Sequence, residues 1–317
     1  MPTYACDARA WRSYRDHLPP SLRLGSEDLP QECSWSWDGL AVHLDRYERP
    51  DSPLTVVVVH GAGGYGRLLA PFGRMLADAG ADVVLPDLPG YGLTACPPGR
   101  MRYETWVTCL VDLIDAERAR TGRPVALFGM SMGGMLALHA AMAAPVGAVA
   151  GIAATTLMDP RDRRVRRGAG RLPTPAALLR TGVADRLRLP MPLLAPIERM
   201  SSVRPINRRC LVDPQGGGNR VPIGFLRSWL TYAPACEPQE FDRCPVLLAH
   251  PVRDRWTPTE WSRDVLDRLA VPTTFVPLQG CEHLPVEEPG LTTLREALRD
   301  WLGAVAPGAA SLPSGAA

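Results

Sequence analysis

Six short apolar runs punctuate this chain, and the segments that join them constrain the fold more than any other feature. They are TVVVVHG, ADVVLPD, PVALFGM, VGAVAGIAA, CPVLLAHP and TTFVPLQG. Several are β-branched and apolar almost throughout, as strands buried on both faces are. Stretches with helical spacing follow or separate them: RLLAPFGRMLADAG, ETWVTCLVDLIDAERARTG, SMGGMLALHAAMAA, TEWSRDVLDRLA and LTTLREALRDWLGAV. Gly80 and Gly122 supply helix-ending signals. This alternation predicts an α/β chain with a mostly parallel central sheet and helices on both faces. Upstream, CSWSW and LAVHLDRYE flank Asp38-Gly39, a hairpin signal, so one antiparallel pair should join the sheet.

The alternation is interrupted once. Residues 158–240 are rich in arginine and proline and carry only short helical patches, PAALLRTGVADRLRL and GFLRSWLTYA, with a PQGGGN loop at 214–219. An insertion this long is expected to be functional, and its prolines should break it into several short helices, labelled the inserted helical cap. The chain therefore divides into a loosely packed N-terminal arm (1–30), a core (31–157 and 241–306), the cap (158–240) and a flexible tail (307–317).

Composition narrows the function classes. The formal net charge is +2, so no nucleic-acid partner is expected. No run of eighteen apolar residues occurs, which predicts no stable membrane insertion. The start lacks an apolar signal-peptide core, and the eight cysteines are scattered without CxxC pairs. A cytoplasmic protein without a metal site is the expectation. Arginine without lysine, beside many alanines, prolines and glycines, suggests a GC-rich bacterial genome.

Between the strand PVALFGM and the helix after it, Gly129-Met130-Ser131-Met132-Gly133 fits G-x-S-x-G. Glycines there permit a tight turn that lifts a serine hydroxyl above the sheet edge. A serine needs a base, and His283, in the loop after the last strand, is the candidate among six histidines. Asp254, just past CPVLLAHP, is placed to orient it; Asp159, past VGAVAGIAA, is the rival. The order Ser131, Asp254, His283 is one of the three known orders of such a triad. Two amides should hold an oxyanion: that of Met132, and that of Ala62 in the loop His60-Gly61-Ala62-Gly63-Gly64. Gly61, Met130 and Trp256 are candidate pocket residues, with Trp256 either walling the site or anchoring the acid loop. Leu187, Leu189, Met191, Leu193 and Leu194 could line a pocket or pack the cap on the body. Six arginines within 161–171 could meet an anionic substrate or simply form a solvated surface.

These segments resemble the α/β-hydrolase superfamily. HGAGGYGRLLAPFGRMLADAGADVVLPDLPGYGLT is similar to its oxyanion-loop, helix and DxPGxGxS block; FGMSMGG resembles its nucleophile elbow, RDRWTP its acid loop and GCEHLPVEEPG its histidine loop. Tyr91 and Thr94 depart from the commoner histidine and serine of the DxPGxGxS turn, outside the triad. The resemblance implies the α/β-hydrolase fold, a monoacylglycerol lipase or esterase-like branch, no cofactor and a small-molecule acyl substrate. The expected activity is cleavage of a carboxylic ester through an acyl-enzyme. A biosynthetic thioesterase, cyclase or carbon–carbon hydrolase is the alternative enzyme, and a small-molecule receptor or scaffold the non-enzyme alternative.

Overall fold

The computed structural model describes residues 3–5, 9–168 and 184–306. The hairpin forms as expected. Strands β1 (Gln31–Trp37) and β2 (Leu40–Tyr47) pair antiparallel around Asp38 and Gly39, both at positive φ. Then come β3 (Thr55–Val59), helix α2 (Gly66–Asp78), β4 (Asp82–Pro86), α3 (Tyr103–Thr121), β5 (Val125–Gly129), α4 (Met132–Ala143) and β6 (Val149–Ala154). After an insert, β9 (Val246–Pro251), α9 (Thr259–Leu266), β10 (Thr273–Leu278) and α10 (Gly290–Val305) complete the core. The eight-stranded sheet has the order β1-β2-β4-β3-β5-β6-β9-β10, and every neighbouring pair from β4 onward is parallel.

Every residue of β3, β4 and β5 is buried, which explains runs without polar alternation: helices cover both faces of a parallel sheet. Each buried valine or leucine contributes roughly 1.5–3 kcal/mol relative to exposure. Helix α3 ends where the sequence indicated, with Gly122 in the left-handed region at φ 69°.

Two regions differ from expectation. The N-terminal arm is not loosely packed. Its helix α1 (Arg9–Arg15) follows a buried Tyr4, and Trp11, Tyr14, Leu22 and Leu24 are buried too. Tyr4 stacks on Tyr65 at 5.6 Å, and the Arg67 guanidinium lies 4.9 Å from the Tyr4 ring and 5.2 Å from Trp11. A few aromatic anchors decide the packing, although the average composition of the segment is polar.

The insert is more varied than a set of short helices. It contains α5 (Arg163–Gly168), β7 (Arg188–Pro190), α6 (Met191–Leu194), α7 (Arg204–Val212), β8 (Arg220–Pro222) and α8 (Ile223–Leu230). Strands β7 and β8 form an antiparallel ribbon. Most of the expected helical patch PAALLRTGVADRLRL lies outside the described residues, but its end, Arg188-Leu189, is strand. The prolines at 190 and 222 set the N-termini of α6 and α8, where a missing amide hydrogen does no harm. Among the described residues no helix is long and apolar enough to cross a membrane.

Three histidines are structural. His60 Nδ1 bonds the Gly61 carbonyl at 2.8 Å, and His60 Nε2 accepts the Leu88 amide at 2.9 Å. His250 Nδ1 bonds the Pro251 carbonyl at 2.9 Å, and His139 Nδ1 meets the Tyr103 hydroxyl at 3.0 Å. Burial lowers the basicity of all three and pushes His139 down to about 3. Below pH about 6.5 the unfolded chain binds protons at these sites that the folded chain refuses. Their neutral packing thus supports the fold fully above that pH and progressively less as pH falls. The melting temperature should drop between pH 6.5 and 5, and His139→Gln should flatten the drop. A pH-independent melting temperature over that interval would contradict this assignment.

Candidate active site

The sheet order places β5 between β3 and β6, so the turn after β5 can be held from both sides. Met130 N–H donates to the Val59 carbonyl at 3.0 Å on the β3 side. On the β6 side, Ser131 N–H donates to Thr155 Oγ1 at 3.1 Å, and Thr156 Oγ1 donates to the Ser131 carbonyl at 2.9 Å. Ser131 sits at φ 56°, ψ −133°, a conformation that costs a non-glycine residue roughly 1–3 kcal/mol. The flanking glycines are steric necessities. A Cβ on Gly129 would lie 2.2 Å from the Gly133 carbonyl oxygen, and one on Gly133 would lie 2.2 Å from that of Val59.

The two other sequence candidates arrive from neighbouring strands. The loop after β9 carries Asp254 and the loop after β10 carries His283; Arg253 N–H bonds the Cys281 carbonyl at 2.9 Å, joining them. His283 Nε2 lies 2.7 Å from Ser131 Oγ, and His283 Nδ1 lies 2.7 Å from Asp254 Oδ2. Asp254 Oδ1 accepts the Trp256 and Thr257 amides at 2.7 and 2.8 Å. Burial works to raise the Asp254 carboxyl, but the charge and hydrogen bond of His283 and the two amides hold it below the usual carboxylate range. An ionised carboxylate only accepts, so the His283 proton resides on Nδ1 and Nε2 is free to accept from the serine hydroxyl.

Met132 and Ala62 flank the serine. Both line a cavity with Ser131. Gly61 approaches so closely that a Cβ there would lie 3.0 Å from the Met132 nitrogen. Neither the Ala62 nor the Met132 amide has an acceptor among the described residues. Two residues whose amides lack an acceptor thus border the cavity that contains the hydroxyl.

Two cavities meet at Ser131. One, with about 570 Å³ of empty space partly open to solvent, is walled by Met158, Met191, Leu194, Phe225, Trp229 and Trp261. The other, about 530 Å³ measured the same way, includes His283, Leu284, Met130, Ile197 and Met200 with the Gly61–Gly64 loop. Trp256 borders both and stacks on His283 with ring centroids 4.5 Å apart, so it is wall and anchor together.

Several sequence candidates fall elsewhere. Of the five leucine and methionine candidates in the insert, Met191 and Leu194 face the first cavity, whereas Leu187 and Leu193 are exposed. Asp159 does not reach His283; it receives Arg161, whose side chain also pairs with Glu237. Arg164 pairs with Asp162 and Asp264, and Arg166 bonds the Pro160 and Leu230 carbonyls. No described arginine lines either cavity. Arg171 lies outside the described residues.

Sequence reasoning missed Thr155, Thr156, Phe225, Trp229 and Trp261. The amphipathic spacing of GFLRSWL was the signal available for Phe225 and Trp229; the threonine pair gave none. Among the described residues, Glu32, His43 and Asp45 form a group spaced to hold a cation. Its donors are already engaged: Arg67 binds Asp45 through two bonds of 2.7 and 2.6 Å, and His43 binds Glu32 at 3.0 Å.

Parts of the chain resemble known proteins. The chain is 34% identical over 110 residues to the phospholipase YtpA of Bacillus subtilis, a match covering 33% of this chain and 37% of that one. It is 31% identical over 121 residues to the lipase LipV of Mycobacterium tuberculosis, covering 38% and 41%. The matched stretches thus span about two fifths of these curated relatives. The solved monoacylglycerol lipase of Paleococcus ferrophilus superimposes with a TM-score of 0.65 over 83% of this chain and 99% of that one, at 23% identity, and shares the fold. The model of the alpha/beta hydrolase family matches residues 56–295, well over half of the sequence, and the chain belongs to that family.

Proposed function

We propose that the protein is a serine esterase acting on uncharged, largely apolar esters, with the insert serving as a cap. The observation that carries this reading is the unbroken relay from Ser131 Oγ through His283 to Asp254, with 2.7 Å at each step, beside two unengaged amides. Ser131 Oγ attacks the carbonyl carbon while its proton passes to His283 Nε2. The carbonyl electron pair moves onto oxygen, where the Ala62 and Met132 amides receive it. Collapse of the adduct breaks the carbon–oxygen bond, and His283 returns the proton to the departing alkoxide. Water then attacks acyl-Ser131 with His283 as base, releasing the acid and the serine.

The same chemistry assigns the two cavities. The leaving oxygen must receive its proton from His283, so the alcohol part belongs in the cavity that contains His283. The acyl part then occupies the cavity under Phe225, Trp229 and Trp261. Among the described residues, neither cavity is lined by arginine, aspartate or glutamate. That favours an uncharged ester over a phosphopantetheine thioester, because a buried anion needs a paired cation. Similarity to a lipase and a phospholipase supports the ester bond as the target.

Two outcomes are expected. Ser131→Ala should lower kcat by on the order of 10⁴–10⁶, and Asp254→Asn by about 10⁴, with KM nearly unchanged. Steady-state hydrolysis of a p-nitrophenyl ester checks this, and Ser131→Ala turnover equal to wild type would end the proposal. Trp229→Ala should shift the best acyl chain toward longer substrates in a p-nitrophenyl ester series, with each well-placed methylene worth about 10-fold or more in kcat/KM. Faster turnover of acyl-pantetheine thioesters than of every simple ester would argue for the thioesterase alternative.

A further inference from the structure

The loop that carries Ala62 does not stand alone. It runs from Gly61 to Tyr65, and Gly64 N–H closes it on the Gly61 carbonyl at 3.0 Å. Its far end is gripped by the insert. The Tyr65 hydroxyl donates to Asp213 Oδ2 at 2.9 Å, and the Tyr14 hydroxyl of the N-terminal arm donates to the same oxygen at 3.0 Å. Gln215 N–H donates to Asp213 Oδ1 at 3.0 Å. Tyr65 and Asp213 are both buried, so these bonds form out of reach of water.

The PQGGGN loop makes the contact closer still. A Cβ on Gly216 would lie 2.7 Å from the Gly63 carbonyl oxygen, and one on Gly63, at φ 86°, would lie 3.5 Å from Gly217 Cα. Gly92 N–H bonds the Gln215 carbonyl, and Asn219 Nδ2 bonds the Gly90 carbonyl, both at 3.0 Å. The glycines of this loop thus let the insert lie close against this part of the body.

From this juxtaposition we propose that Asp213 is a positioning residue for the oxyanion. By holding Tyr65, it sets the Gly61–Tyr65 loop and hence the Ala62 amide, so that seating the insert and completing the oxyanion site are one event. Tyr14 makes the N-terminal arm a third party to that event. Asp213 touches no substrate; it acts through Tyr65. The proposal rests on the serine-hydrolase reading, in which the Ala62 amide stabilises the tetrahedral oxygen.

The consequence is a loss confined to the transition state. Asp213→Asn keeps the shape, but its single oxygen cannot serve the two hydroxyls and the Gln215 amide together, and its NH2 must face one of those donors. Tyr65→Phe keeps the ring and removes the donor. Each should lower kcat about 10-fold with little change in KM, since a displacement well under 1 Å is enough to weaken one oxyanion donor. Because both act on one contact, the double variant should lose no more than either single one. Gly216→Ala, which drives a methyl group toward the Gly63 carbonyl, should give the same split.

The test compares two ligands in each variant at a temperature where circular dichroism shows the protein folded. An alkylboronic acid forms a tetrahedral adduct on the serine and uses the oxyanion donors; an alkyl amide of the same length only fills the cavity. Boronate affinity should fall in parallel with kcat, while amide affinity stays within about 2-fold. Unchanged kcat in folded Asp213→Asn and Tyr65→Phe, or equal loss of both affinities, would overturn the positioning role. Wild-type protein that binds no boronate and loses no turnover on Ser131→Ala would overturn the hydrolase reading, and this proposal with it.

Discussion

Ser131 keeps a backbone conformation, φ 56°, that its own side chain opposes, and the arrangement of the site follows from what restrains it. The restraint comes from the sheet. With β5 between β3 and β6, the turn receives one bond from the end of β3 and two from Thr155 and Thr156 past β6. A cost of roughly 1–3 kcal/mol is comparable to what three such bonds return at about 0.5–1.5 kcal/mol each. In return the hydroxyl projects above the sheet edge and points at an imidazole delivered by β10, which an aspartate delivered by β9 holds in place. Parallel strands bring all these loops to one edge because their carboxyl ends share it.

The second organising constraint is the treatment of charge. Asp254 bonds the imidazole, and two amides and His283 compensate its burial. The neighbouring strand-end histidines, His60 and His250, are kept neutral by burial. The cavities are walled by methionine, leucine, phenylalanine and tryptophan. A negative charge developing on a substrate oxygen would therefore find amide dipoles and, among the described residues that line the cavities, no arginine or carboxylate. In a low-dielectric setting such dipoles are most effective when they are fixed beforehand. The contact between Asp213 and Tyr65 supplies one means of fixing them.

How much of this could be read from the sequence depends on how local the cause is. The alternation of apolar runs and helices fixed the order of the core, because strand burial and helix periodicity are written in adjacent residues. The G-x-S-x-G turn, Asp254 and His283 were legible through their positions at strand ends, and the structure brings those three side chains together. The amides proposed to hold the oxyanion, those of Ala62 and Met132, were legible only as backbone positions. Other features depend on distant partners. Tyr4, Trp11 and Tyr14 anchor an arm whose average composition is polar. The glycines at 216–218 read as a loop, yet the close approach of Gly216 to Gly63 and Tyr65 depends on residues far away in sequence. The arginines near 161 left an anion site and a solvated surface both open; Arg161 and Arg164 meet acids contributed by other parts of the chain, such as Glu237 and Asp264.

The central claim is that Ser131 is a nucleophile activated by His283. Its most direct measurement is mass-spectrometric mapping of the folded protein after reaction with a fluorophosphonate. The account predicts one probe per chain, attached at Ser131, and a rate of attachment that falls by orders of magnitude in His283→Ala. Attachment at another residue, or an ester-hydrolysing protein whose Ser131 stays unmodified, would contradict it.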